Sequence, residues 1–146
     1  MAYSGSGFIV DGMVASGLGR GAQFLAIDWV RRELRAQMAL DAFPGTLNLR
    51  IPESDWSALH ARRNEFVRIA DPSAASCPGF ATAVRLHAHG QTTLGYLILP
   101  ELTMYKDVLE IIAGENLRQR LQLKDGDMVR VEEVAEPNSR QPTFRG

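Results

Sequence analysis

Apolar and polar positions change period several times along the chain, and each change marks an element. Phe8, Val10, Met13 and Val14 surround a glycine and predict a strand over 8–16 that runs into Gly17, Gly19 and Gly21. Phe24, Ile27, Val30, Leu34 and Met38 then recur at three- and four-residue steps with arginines between them, which predicts one amphipathic helix over 24–40. Phe43-Pro44-Gly45 breaks it, and Leu47, Leu49 and Ile51 alternate inward in a short strand over 46–51. A helical turn over 52–60, capped by Ser54 or Asp55, and a strand over 65–69 follow. Segments 81–88 and 92–99 read as a hairpin joined by His89-Gly90-Gln91, and Pro100 closes its second strand. A short helix over 116–121, a turn at 124–127 and a strand over 128–134 complete the pattern.

Five or six short strands with one long and one or two short helices make the chain mainly β. The long helix sits early and does not recur between strands, so the alternation of a doubly wound sheet is missing and a small closed or nearly closed β-barrel fits better. With 146 residues, 45% of them apolar, the chain can build one core without metal or disulfide support. A flexible Gly/Ser-rich N-terminus over 1–7, a single barrel domain over 8–135 and a mobile polar tail over 136–146 are expected.

Charge narrows the partners. Sixteen basic and seventeen acidic residues are mixed along the chain, so no basic stripe offers a footprint for nucleic acid. Arg31, Arg32 and Arg35, and then Arg62 and Arg63, read as solvated helix faces. No apolar run is long enough to span a bilayer, and residues 1–7 lack the character of a signal peptide. The lone Cys77 excludes an intramolecular disulfide and suits a reducing cytoplasm. A soluble cytoplasmic protein is expected, with a monomer favoured and no nucleic-acid or membrane partner.

Three stretches carry candidate chemistry. Ser16-Gly17-Leu18-Gly19-Arg20-Gly21-Ala22 can bring successive backbone N–H groups to a polyphosphate, or can be an ordinary strand-to-helix loop; it is neither a Walker loop nor a dinucleotide fingerprint. Thr46 and Asn48 put a hydroxyl and an amide on one strand face, a poor magnesium site alone but a sensible one if the metal arrives with phosphates. Glu110 interrupts an apolar run from Val108 to Ala113, and a carboxylate there needs a donor: a ligand, a backbone group or an arginine. His60, His87 and His89 match no metal triad; His87 and His89 share a strand face, with solvent as their expected environment.

Together these stretches resemble the archaeal CTP-dependent riboflavin kinases. Their Gly-rich segment corresponds to Gly12-Met13-Val14-Ala15-Ser16-Gly17-Leu18-Gly19-Arg20-Gly21, and their Pro-Gly-Thr-Leu-Asn to Pro44 through Asn48. Their C-terminal segment corresponds to Leu109 through Arg118, and their Leu-x-Asp-Gly-Asp to Leu123 through Asp127. The resemblance implies a six-stranded cradle-loop β-barrel that transfers the γ-phosphoryl group of Mg-CTP to riboflavin. It implies nucleotide binding by Gly17, Leu18, Gly19, Arg20, Gly21 and Ala22 and by Glu115, Asn116, Leu117 and Arg118. It further implies Mg2+ held by Thr46 and Asn48 and flavin contacts from Thr103 and Glu110, and it assigns no general base. Arg20 stands where these kinases usually carry glutamate, Leu102 where they carry arginine, and Gly114 where they carry proline. The alternative is a non-catalytic flavin- or nucleotide-binding barrel acting as a sensor or accessory protein. Retention of Thr46 and Asn48 favours the kinase, because a pure flavin binder has no evident need for the pair.

Overall fold

Short alternating segments satisfy their backbone groups by closing on themselves. The computed structural model describes residues 2–4, 7–16, 21–73, 78–101 and 105–134. Its strands β2 (Gly7–Ala15), β3 (Leu47–Arg50), β7 (Val108–Ile112), β6 (Gln91–Pro100), β5 (Gly79–Ala88) and β8 (Met128–Glu133) pair in that order, and β8 returns to β2. Every pairing in the ring is antiparallel. This is the expected six-stranded barrel, and closure leaves none of the six with a free edge. Two short strands lie outside the ring: β1 (Ala2–Ser4) extends β2, and β4 (Val67–Ile69) extends β5. β1 falls within the stretch expected to be a flexible N-terminus, and β7 is a strand where the sequence shows only an apolar run.

Period-two alternation divides the strands between two cores. Leu47, Leu49, Leu97, Leu99, Leu109 and Ile111 join Phe8, Val14 and Val131 in the larger one, inside the barrel. Ala81, Ile98 and Ile112 point the other way and pack with Ile69 against Leu25, Val30 and Leu34. These last three come from α1 (Gly21–Leu25) and α2 (Asp28–Met38), which cover part of the outer face. Val30 and Leu34 are fully buried, each contributing about 1.5–3 kcal/mol by removal from water.

The helix expected over 24–40 is two helices. Ile27 is extended (φ −78°, ψ 129°), and the amides of Ala26 and Ile27 bond only three residues back. In an unbroken helix Leu25 would lie about 140° around the axis from Val30, away from the buried seam. The break lets both pack into the outer core, while Ile27 stays exposed. Ala39 ends α2 in the left-handed region (φ 52°), and Leu40 N–H donates to the Leu34 carbonyl at 3.2 Å, closing the last turn.

Downstream, α3 (Glu53–Ala61) starts from Pro52 with no side-chain cap, so neither Ser54 nor Asp55 plays the expected role. A proline is pre-set for a helix start and has no N–H to satisfy. Residues Arg63–Glu65 form a 3-10 turn. Arg62 is not a solvated side chain: its guanidinium donates to Glu65 at 2.9 Å and to Glu133 at 3.2 Å, and lies 5.6 Å from the Phe66 ring centre. It thereby ties α3 to the end of β8. The hairpin between β5 and β6 turns on His89 (φ 51°) and Gly90 (φ 72°), two left-handed residues whose twist matches the strands. The histidines do not simply face solvent. His87 Nε2 is 3.0 Å from Glu132 and His89 Nε2 is 3.0 Å from Asp127, because β8 and its leading turn run alongside.

Candidate functional site

Register across three strands assembles the first half of the site. Asn48 on β3 pairs with Ala15 at the end of β2 and with Glu110 on β7, and Glu110 pairs in turn with Ile98 on β6. Leu47, Leu49, Leu109 and Ile111 point into the barrel, so alternation sends Asn48 and Glu110 to the outer face. Thr46, one residue before β3, completes a cluster there. Its hydroxyl lies 3.4 Å from Asn48 Oδ1 and 3.4 Å from Glu110 Oε1. One hydroxyl proton faces two acceptors, both beyond the usual O–H···O range of about 2.5–3.0 Å. The cluster is therefore rich in hard oxygen acceptors, and Asn48 within it is buried.

A pocket of about 150 Å³ opens beside this cluster. Phe43, Gly45, Thr46 and Leu47 contribute from the β3 side, Ile111 and Ala113 from β7 and its continuation, and Glu115 through Arg118 from the turn into α4 (Leu117–Arg120). Ligand pockets for whole drug-sized molecules run to about 300–1,000 Å³, so this one has room for a single ring. Asn116 caps α4, its Oδ1 accepting from Gln119 N–H at 3.2 Å. Its side-chain oxygen thus holds the turn.

A polar strap joins that turn to the root of the Gly-rich segment. Ser16 Oγ donates to Asp125 Oδ1 at 2.6 Å, and Arg118 Nη1 reaches Ser16 Oγ at 2.8 Å and Asp125 Oδ1 at 3.0 Å. The Ser16 hydroxyl first, and then the Arg118 guanidinium, hold the Asp125 carboxyl below its ordinary value. Main-chain bonds fix the same turn to β2, with Gly126 N–H donating to the Val14 carbonyl and Val14 N–H to the Asp127 carbonyl. Asp127 is likewise lowered, by the Lys124 backbone N–H and then by His89.

Among the expected site residues, the structure brings together Thr46, Asn48, Glu110 and Glu115 through Arg118. Gly21 and Ala22 open α1. Gly17, Leu18, Gly19, Arg20 and Thr103 lie outside the described residues, as do Leu102 and Cys77. Sequence reasoning missed Phe43 and the partnership of Ser16 with Asp125. Only the position of Phe43, directly before Pro-Gly-Thr, hinted at it. Among the described residues no three His, Cys, Asp or Glu side chains are grouped to hold a metal ion, and no helix is long and apolar enough to cross a membrane.

The fold and site together are a closed β-barrel with a ring-sized pocket beside a cluster of hard oxygens. Residues 14–132 match the CTP-dep_RFKase family, described as Domain of unknown function DUF120, and the chain belongs to that family. It is 32% identical over 133 residues to the riboflavin kinase of Archaeoglobus fulgidus, across 86% of this chain and 54% of that protein. It is 33% identical over 125 residues to the riboflavin kinase of Methanobrevibacter smithii, across 84% of this chain and 98% of that protein. With the riboflavin kinase of Aeropyrum pernix the identity is 37% over 128 residues, across 84% and 92% of the two chains. The chain thus spans about half of the first relative and nearly all of the second.

Proposed function

We propose that the protein phosphorylates riboflavin at its 5′-hydroxyl with magnesium-bound CTP as donor, giving FMN and CDP. One observation carries the reading: a single pocket runs from Thr46, in the oxygen cluster, to the turn at Glu115 through Arg118. A nucleotide whose base occupies that pocket has its phosphates toward the cluster and toward Ala15 and Ser16, from which the Gly-rich segment departs. Family membership and the names of the relatives support the same reaction.

The donor set fits magnesium. Thr46 Oγ1 and Asn48 Oδ1 are hard neutral oxygens 3.4 Å apart, close to the roughly 3 Å edge of a magnesium octahedron, and the ion usually completes its shell with water and substrate phosphates. When bound, magnesium neutralises phosphate charge. The chain's own residues do the positioning. Thr46 and Asn48 hold the metal-bearing end of the nucleotide, backbone N–H groups and Arg20 within 17–22 engage the phosphates, and the 115–118 turn reads the base edge. Glu110 and Thr103 hold riboflavin through its N–H and hydroxyl groups. The 5′-oxygen then bonds to the γ-phosphorus as the bond to the β–γ bridging oxygen breaks. A loose transition state demands little of a base, so the hydroxyl proton can leave late to water. We assign the reaction to a reducing cytoplasm, the compartment that suits a lone cysteine.

Titration of riboflavin with the protein, followed by the flavin's own fluorescence with and without Mg-CDP, tests the ligand assignment. Saturable quenching, with Mg-CDP changing the flavin affinity, is expected. Absence of flavin binding under both conditions contradicts it.

A further inference from the structure

We propose that Phe43 is the platform on which the nucleotide base stacks. This rests on the nucleotide-kinase reading above and adds a residue that positions the base. Phe43 is 37% exposed although large and aromatic, and it lines the ring-sized pocket together with Asn116 and Arg118. Its main chain is pinned on both sides: its N–H donates to the Ala113 carbonyl at 2.8 Å, and its own carbonyl accepts from Gly45 N–H at 2.8 Å. The ring rests against Gly45, where an added Cβ would come within 3.3 Å of Cε2 and 3.6 Å of Cδ2. A bare Cα at Gly45 therefore lets the ring lie where it does, and any side chain there would press on it.

A partly exposed ring, held by its main chain at the lining of a cavity the size of a single heterocycle, suits stacking of a planar base. Stacking tolerates base identity because every base has a π-face. Phe43 thus supplies affinity, and the 115–118 turn supplies choice among bases. The backbone bonds at this position form with any residue but proline, so they do not themselves call for an aromatic ring.

Calorimetric titration of the full chain as wild type, Phe43→Leu and Phe43→Trp, each with Mg-CTP and with magnesium tripolyphosphate, tests the assignment. Phe43→Leu is expected to weaken CTP about tenfold or more, the scale of a lost base–aromatic stack. It should leave tripolyphosphate unchanged, and Phe43→Trp should retain CTP binding. Any other nucleotide that the wild type binds should weaken by the same factor as CTP. Equal CTP affinity in wild type and Phe43→Leu overturns the stacking role, as does a matching loss for tripolyphosphate. If the leucine variant melts early, the tryptophan variant decides: lost CTP affinity with a wild-type melting temperature overturns the role. A wild type that binds CTP no better than tripolyphosphate overturns the nucleotide reading itself, and the stacking role with it.

Discussion

Replacing Asn48 with alanine separates the two substrates. In the proposed reaction the Asn48 amide oxygen would be one of two neutral oxygens that meet magnesium, and the residue is 9% exposed within the β3 strand. The β3 ladder to β2 and β7 is main-chain and survives the change. Thr46 keeps its contact with Glu110, so the fold should lose no more than the about 1–3 kcal/mol that a buried polar deletion costs. A contact to a charged partner is worth about 1.5–3 kcal/mol, which is about 10- to 150-fold in affinity. Calorimetry with Mg-CTP should show a loss of that order for Asn48→Ala, while CTP in excess EDTA binds both proteins alike. Riboflavin affinity should stay within experimental error of wild type. Equal loss for flavin and nucleotide, or a loss that persists without magnesium, would refute the assignment of Asn48 to the metal-bearing end of the nucleotide.

Three further outcomes follow from geometry away from the metal. Gly12→Ala should destabilise the protein by about 1–3 kcal/mol in urea unfolding, because its Cβ would meet Leu49 Cβ at 2.8 Å and Ile51 Cγ2 at 3.1 Å inside the barrel; a neutral result means β2 moves freely against β3. Ala39→Gly should raise stability by about 0.5–1 kcal/mol by relieving the left-handed cap of α2 at φ 52°, and an earlier thermal melt would contradict this. Asp125 has its folded pKa below its ordinary value, through Ser16 and then Arg118. A depressed carboxylate contributes stability that is fully present above the unfolded pKa and lost as pH falls through the folded one. The difference in melting temperature between wild type and Asp125→Asn should therefore be flat above about pH 5 and shrink below about pH 3.9; a change between neutral pH and pH 5 would exclude the strap as its source.

Local signals in the sequence survive into the fold where they depend on neighbours. The hairpin at His89-Gly90 was legible because two left-handed residues between alternating strands have one common solution. Strand β7 was not, because Val108, Leu109, Ile111 and Ile112 are all buried, split between inner and outer cores, and an unbroken apolar run carries no period. The division of the long helix was hidden for a related reason: Ile27 continues the apolar rhythm but faces solvent, and only the outer barrel face decides that Leu25 is needed instead. Arg62 read as a surface charge because Glu133, which holds it, is distant in sequence and arrives through β8.

The site divides along the same line. Thr46 with Asn48 was readable as a same-face pair, and the Glu115 through Arg118 turn through resemblance, but their meeting depends on the β3–β7 register. Glu110 advertised a need for a partner, and Thr46 is one that the structure provides. Nothing local in the chain identifies Ser16 as bound to Asp125 across the β2–β8 junction.

FMN formation from riboflavin and Mg2+ with CTP, and with ATP, GTP and UTP beside it, tests the central claim most directly. FMN and CDP in equal amounts with CTP, and loss of product in Asn48→Ala, is the predicted result. No FMN with any of the four donors, from protein that binds both flavin and nucleotide, would contradict it.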